Sequence, residues 1–119
     1  MESFTDLKAW QHGMTLVDEV YKLTKKLPTS ERYGLITQMQ RASVSILANL
    51  AEGFGRYTFP DKAHKYTIAR GECTEVETLL LVIMRLRFVT AEEAKGALQL
   101  CQEVGRTISG LIRSCRARS

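Results

Sequence analysis

The chain has 119 residues, 45% of them hydrophobic and 25% charged, with 17 Lys and Arg against 13 Asp and Glu for a net charge of +4. This is the size of one domain, and a chain of this length buries roughly 65% of the surface it exposes when unfolded, enough for a core without disulfides or metal. The longest apolar run, Leu79 to Met84, excludes a membrane-spanning helix, which needs about 20 residues.

The N-terminal segment Met1-Glu2-Ser3-Phe4-Thr5-Asp6 is neither basic nor followed by an unbroken apolar stretch, so no signal peptide is expected. The first helix is expected from about Asp6 to Lys26, capped by Thr5 or Asp6. Leu7, Trp10, Met14, Val17 and Tyr21 recur at steps of three and four, and a second row, Leu16, Val20, Leu23 and Leu27, lies beside them. Lys22, Lys25 and Lys26 gather where the negative end of the helix dipole favours cations, and Pro28 ends the helix.

The second helix is expected from Ser30 or Glu31 to Gly55, with Ser30 as its cap and Gly53 or Gly55 as a left-handed terminator. At about 100° per residue, Gln38, Arg41, Ser45, Asn49, Glu52 and Arg56 fall in a sector roughly 80° wide, beside an apolar arc roughly 200° wide. A helix of a small bundle needs an apolar arc only a little over 100° wide. Helices 1 and 2 thus carry more apolar surface than one core consumes, which predicts an interface with further copies of the chain.

Thr58-Phe59-Pro60-Asp61 joins a hydroxyl cap, an early proline and an acid three residues on, the start of a third helix. Tyr66, Ala69, Cys73, Val76, Leu80 and Ile83 form its seam to about Arg87, and Gly71 inside it suggests close contact between helices. Thr90-Ala91-Glu92-Glu93 is a capping box opening a fourth helix. Its seam is Ala94, Ala97, Cys101, Val104, Ile108, Leu111 and Cys115, with a basic, fraying tail of Arg113, Arg116 and Arg118. Four helices, short connections and no sustained period-two alternation give an all-α, antiparallel up-down-up-down four-helix bundle, a single domain over residues 1–119.

Few residues suit catalysis. A di-iron bundle requires two Glu-x-x-His motifs and two further glutamates; His12 and His64 are the two histidines, and neither follows a Glu by three residues. No Gly-x-Ser-x-Gly elbow is present, and Gly53-x-Gly55 lacks the rest of a phosphate loop. Cys73, Cys101 and Cys115 are odd in number, lack C-x-x-C spacing and sit at seam positions. They read as reduced core thiols of a cytoplasmic protein. No metal site or cofactor is expected.

The polar stripe of helix 2 is then a register-fixing network or a contact to a ligand or neighbouring subunit. A hairpin turning near Tyr57 sets Arg41 opposite Glu72 and Glu75, Ser45 opposite Arg70, and Glu52 opposite Lys62 and Lys65. Glu52 and Arg56 are in addition an i,i+4 pair. The excess of basic residues is either a solvated surface or a polyanion site, for which Lys22, Lys25, Lys26, Arg106, Arg113 and Arg116 are the candidate contacts. Lacking a stacking motif or recognition helix, such binding would run through the phosphate backbone.

The run Gln38-x-x-Arg41-Ala42-x-x-Ser45-Ile46-x-x-Asn49-Leu50-Ala51-Glu52-Gly53, after Pro28-x-x-Glu31-x-Tyr33-Gly34-Leu35, resembles the signature of the four-helix-bundle proteins encoded by intervening sequences of bacterial 23S rRNA genes. Phe4-x-Asp6-Leu7-x-x-Trp10 and Ala69-x-Gly71-x-x-x-Glu75 fit as well. Where that family usually has Gly-Ser, this chain has Gly71-Glu72. The chain is similar, too, to accessory proteins of diversity-generating retroelements, basic barrels that bind a reverse transcriptase and nucleic acid. The resemblance implies a cytosolic bundle assembled into a ring, a homopentamer, and makes Gln38, Arg41, Ser45, Asn49, Glu52 and Glu75 marks of assembly and register. Two functional readings stay open: a non-enzymatic homo-oligomeric scaffold or binding module with a protein partner, and an RNA- or DNA-binding accessory protein using a basic face of the oligomer.

Overall fold

A computed structural model describes all 119 residues. Helix α1 (Lys8–Thr24), α2 (Thr37–Phe54), α3 (Phe59–Arg85) and α4 (Ala91–Ala117) run alternately up and down in an elongated molecule of 45 × 24 × 20 Å. Helices α1 and α3 each pack against both α2 and α4, so α1 lies diagonal to α3 and α2 to α4. The all-α four-helix bundle expected from the sequence is what forms.

Leu16 and Val20 of α1, Met39, Ile46 and Leu50 of α2, Val76, Leu80 and Ile83 of α3, and Val104, Ile108 and Ile112 of α4 are fully buried. Their steps of three, four and seven put one apolar stripe of each helix on the common axis. The α3 seam is buried throughout; in α4, Ile112 takes the place expected for Leu111, which is only partly covered.

The helix starts divide by their chemistry. Thr58 accepts from the Asp61 N–H at 3.2 Å, with Pro60 in the first turn of α3. Thr90 and Glu93 exchange bonds of 3.1 and 2.9 Å as a complete capping box for α4. At the N-terminus the cap is displaced from its expected place. Ser3, not Thr5 or Asp6, caps a single turn of 3-10 helix at Phe4–Asp6, where Asp6 accepts from the Ser3 N–H at 3.2 Å. Extended Leu7 then separates that turn from α1, and Phe4 packs edge-on against Trp10 with ring centres 5.5 Å apart.

The largest departure from expectation is the entry to α2. Thr29–Glu31 form a 3-10 turn and Arg32–Ile36 a wide π-type turn, so α2 proper starts at Thr37 and Ser30 caps nothing. Gly34, at φ −118° and ψ −108°, breaks the helical path, a conformation with little steric cost for a residue lacking Cβ. At the other end Gly55 is right-handed, at φ −82°, and no glycine has positive φ. The left-handed terminator falls instead on Arg87 (φ 64°), just past α3. The Phe88 N–H reaches the Ile83 carbonyl and the Arg87 N–H the Met84 carbonyl, each at 3.0 Å, the paired bonds of a Schellman ending.

Gly71 is not a close contact: a Cβ there would meet nothing within 4 Å. The tight approaches occur at Gly13, where a Cβ would come within 2.9 Å of Leu47, and at Gly53, within 2.7 Å of the Tyr66 ring. The C-terminal tail, expected to fray, is helical through Ala117.

Candidate functional site

The polar stripe of α2 lies along the rim shared with α3. Arg41 Nη2 donates to Glu75 Oε2 at 3.2 Å and Lys65 Nζ to Glu52 Oε2 at 2.9 Å, as the hairpin register anticipates. The other expected pairings do not form. Lys62 donates to the Phe54 carbonyl at 2.6 Å, closing the end of α2, and Arg70 turns to the groove with α4 rather than to Ser45. Asn49 Nδ2 donates to the Ser45 carbonyl one turn back at 2.9 Å, and Gln38 is exposed. The stripe is thus two separate ion pairs, not a continuous network. Lys65, through its hydrogen bond and then its charge, holds the Glu52 carboxyl below its ordinary range, with Arg56 the smallest contribution.

Glu72 is the unsatisfied member of this rim. Its Oε2 is buried and has no hydrogen-bond partner. Burial, and then the charge of Glu75, push its carboxyl above the usual glutamate value against the opposing pull of Arg41. The sequence marked this position only as an acid where the resembling family usually has serine.

Across the rim from this stripe, the outer face shared by α1 and α2 is apolar. Met14 and Tyr21 are each 40% exposed and Val44 is 45% exposed, with Trp10 and Val17 partly exposed and Ala48 open. Gly13 packs on Leu47, and Gln40 Nε2 donates to Thr24 Oγ1 at 3.2 Å. That antiparallel register sets Val44 and Ala48 beside Met14, Val17 and Tyr21. Apart from buried Leu7, the first apolar row read on helix 1 therefore faces outward, while the second row, with Ala9 and Gly13, forms the core side.

The opposite face, between α3 and α4, carries an open groove of about 650 Å³. Arg70, Thr74 and Glu77 of α3 and Arg106, Ser109 and Arg113 of α4 line it, over a floor holding Cys73 and Cys101. Arg106 is held by Glu103 at 2.6 Å, whereas Arg70 and Arg113 have no carboxylate within 4.0 Å. The Cys73 thiol donates to the Cys101 carbonyl at 3.2 Å. Packed against Cys73 and buried, the Cys101 thiol is pushed well above its ordinary value, and all three cysteines are free and buried.

The six cationic candidates do not share one surface. Lys22, Lys25 and Lys26 sit at the C-terminal end of α1, where Lys26 pairs with Glu93 at 2.9 Å and Lys22 approaches Glu19 at 3.9 Å. Arg106 and Arg113 line the α3/α4 groove, and Arg116 lies beyond it beside His64. Arg70 was assigned to the α2 stripe by register alone; only the path of α3 shows that it joins Arg106 and Arg113. His12 and His64 stand on diagonal helices, and no three His, Cys, Asp or Glu residues converge as metal ligands. No helix is long and apolar enough to cross a membrane.

An antiparallel four-helix bundle with an apolar outer face on one hairpin and an arginine groove on the other defines the class of this protein. The 23S rRNA-intervening sequence protein family matches residues 5–110, and the chain belongs to that family. The fold is also that of a protein with unknown function from the S23 ribosomal protein family of Bacteroides thetaiotaomicron, solved at 1.70 Å. The two chains superpose with a TM-score of 0.80 at 22% identity, over 87% of this chain and 97% of the other. No curated protein sequence matches this one.

Proposed function

We propose that the protein is a cytoplasmic, non-enzymatic homo-oligomeric bundle, a pentameric ring acting as a scaffold or binding module. The observation that carries this reading is the outer face of α1 and α2, where Met14, Tyr21 and Val44 stay exposed beside Trp10, Val17 and Ala48. A contiguous apolar patch of this kind marks a protein interface. Arg41 and Glu52, exposed at its α3 edge, supply the polar rim that surrounds such patches. The three free, buried thiols suit a reducing compartment. Light scattering at low micromolar concentration tests the reading: a mass near five times the 13.4 kDa chain supports it, and a monomer removes it.

A nucleic-acid partner, RNA or DNA, is the second reading. Residues 104–119 contain Arg106, Arg113, Arg116 and Arg118 and no acid, and a ring would multiply that field. A mobility shift with structured RNA that weakens steeply with added salt supports it; no shift at low salt removes it.

A further inference from the structure

We propose that the groove between α3 and α4 is a phosphate-binding site built by Arg70, Arg106, Arg113 and Ser109. Arginines from two helices line one concavity of about 650 Å³, within the size range of small-ligand sites. Arg70 and Arg113 donate to no protein acceptor and have no carboxylate within reach, so their guanidinium forks are free for an incoming oxyanion. Planar guanidinium donors match phosphate oxygens two at a time. Three arginines against Glu77 and the Glu103 that pairs with Arg106 leave a local charge of +1 (three minus two), so an entering phosphate meets two free guanidinium groups and competes with Glu103 for the third. Gly105 is part of the lining, and a Cβ there would meet nothing within 4 Å, so the groove is open at that point.

The site lies across the bundle from the apolar face of α1 and α2, so it does not depend on the proposed assembly. Its phosphate has two possible sources, a free oligophosphate or the backbone of a nucleic acid. The probes are tripolyphosphate and a single-stranded ten-base oligoribonucleotide without terminal phosphate, each titrated calorimetrically at low salt against the full chain. Tripolyphosphate binds saturably to the wild type. Arg70→Gln and Arg113→Gln each weaken it about tenfold, the loss of one charge-assisted contact. Gly105→Glu, which places a carboxylate in the groove, abolishes it, and Lys95→Gln, an exposed change elsewhere on α4, leaves it unchanged. Glu103→Gln frees Arg106 and tightens binding severalfold, a gain that a merely structural role does not produce. Absence of tripolyphosphate binding at millimolar concentration, or equal weakening by Lys95→Gln and the groove variants, overturns the proposal. If the same groove variants weaken the oligoribonucleotide, the source is the nucleic-acid backbone. If tripolyphosphate binding alone responds, the source is a free oligophosphate.

Discussion

The two hairpins of this bundle share a core but present opposite faces. On α1 and α2 the surplus is apolar, and the glycines at Gly13 and Gly53 sit where Leu47 and Tyr66 press against backbone. On α3 and α4 the groove is basic and polar, with Ile68 and Leu81 exposed elsewhere on α3, and Gly71, Gly96 and Gly105 face open space. The same helical period therefore serves different ends. Beyond the stripe that the core consumes, what remains on each helix sets the character of the face its hairpin presents to solvent.

Breaking the apolar face has the largest expected effect. Val44→Asp introduces a charge that assembly would bury unpaired, so association weakens by two orders of magnitude or more, of the order of 3 kcal/mol. Light scattering reads the loss, and an unchanged helical circular dichroism spectrum shows that the monomer folds, because Val44 is 45% exposed in it. Gly53→Ala comes next. Its Cβ would lie 2.7 Å from the buried Tyr66 ring, and the forced shift costs about 2 kcal/mol in denaturant unfolding. Gly71→Ala sharpens the contrast between hairpins by stabilising α3 by about 0.5–1 kcal/mol, because the added methyl meets nothing and the backbone loses freedom mainly in the unfolded chain.

Glu72 gives a pH test of the rim. Its folded carboxyl holds its proton above the ordinary value of 4.5, so in the window just above that pH the folded state binds more protons than the unfolded state. Stability from this group therefore falls as pH rises through the window. Glu72→Gln removes the fall and raises stability at neutral pH by about 1 kcal/mol, since the orphaned buried oxygen no longer bears charge. Thermal melts at pH values below and above the ordinary carboxylate range compare the two proteins. The smallest effect is at Glu52. Glu52→Ala lowers the melting midpoint more than Glu103→Ala, because it strands Lys65, whose side chain is only 20% exposed, whereas the partner of Glu103, Arg106, is 68% exposed. Equal midpoints would show the Glu52 pair to be an ordinary surface contact.

Much of the fold was legible because local chemistry and global packing agree. The Thr58 and Thr90 caps and the α3 seam all stand where the sequence puts them. The Arg41–Glu75 and Lys65–Glu52 pairs followed from one assumed hairpin register. The start of α2 was not legible, because Ser30 and Glu31 are good helix-initiating residues, and the break appears only where Gly34 leaves the helical path. Gly71 misled for a related reason: a glycine inside a helix signals close contact or nothing, and only the neighbours distinguish the two. The candidate sites divide in the same way. Arg106 and Arg113 share a helix face by their spacing of seven, whereas Arg70 comes from another helix and no spacing along the chain reveals it.

The sequence by itself determined the four-helix architecture, the antiparallel order and the surplus of apolar surface on helices 1 and 2. Those properties are local, set by caps, prolines and a period of about 3.6 residues. Which apolar row of α1 faces the core, which glycine bears a close contact, where Glu72 is left without a partner and how three arginines meet over Cys73 and Cys101 were decided by the tertiary structure. Each depends on the rotation of one helix against another, and periodicity fixes the width of a stripe without fixing which neighbour it meets.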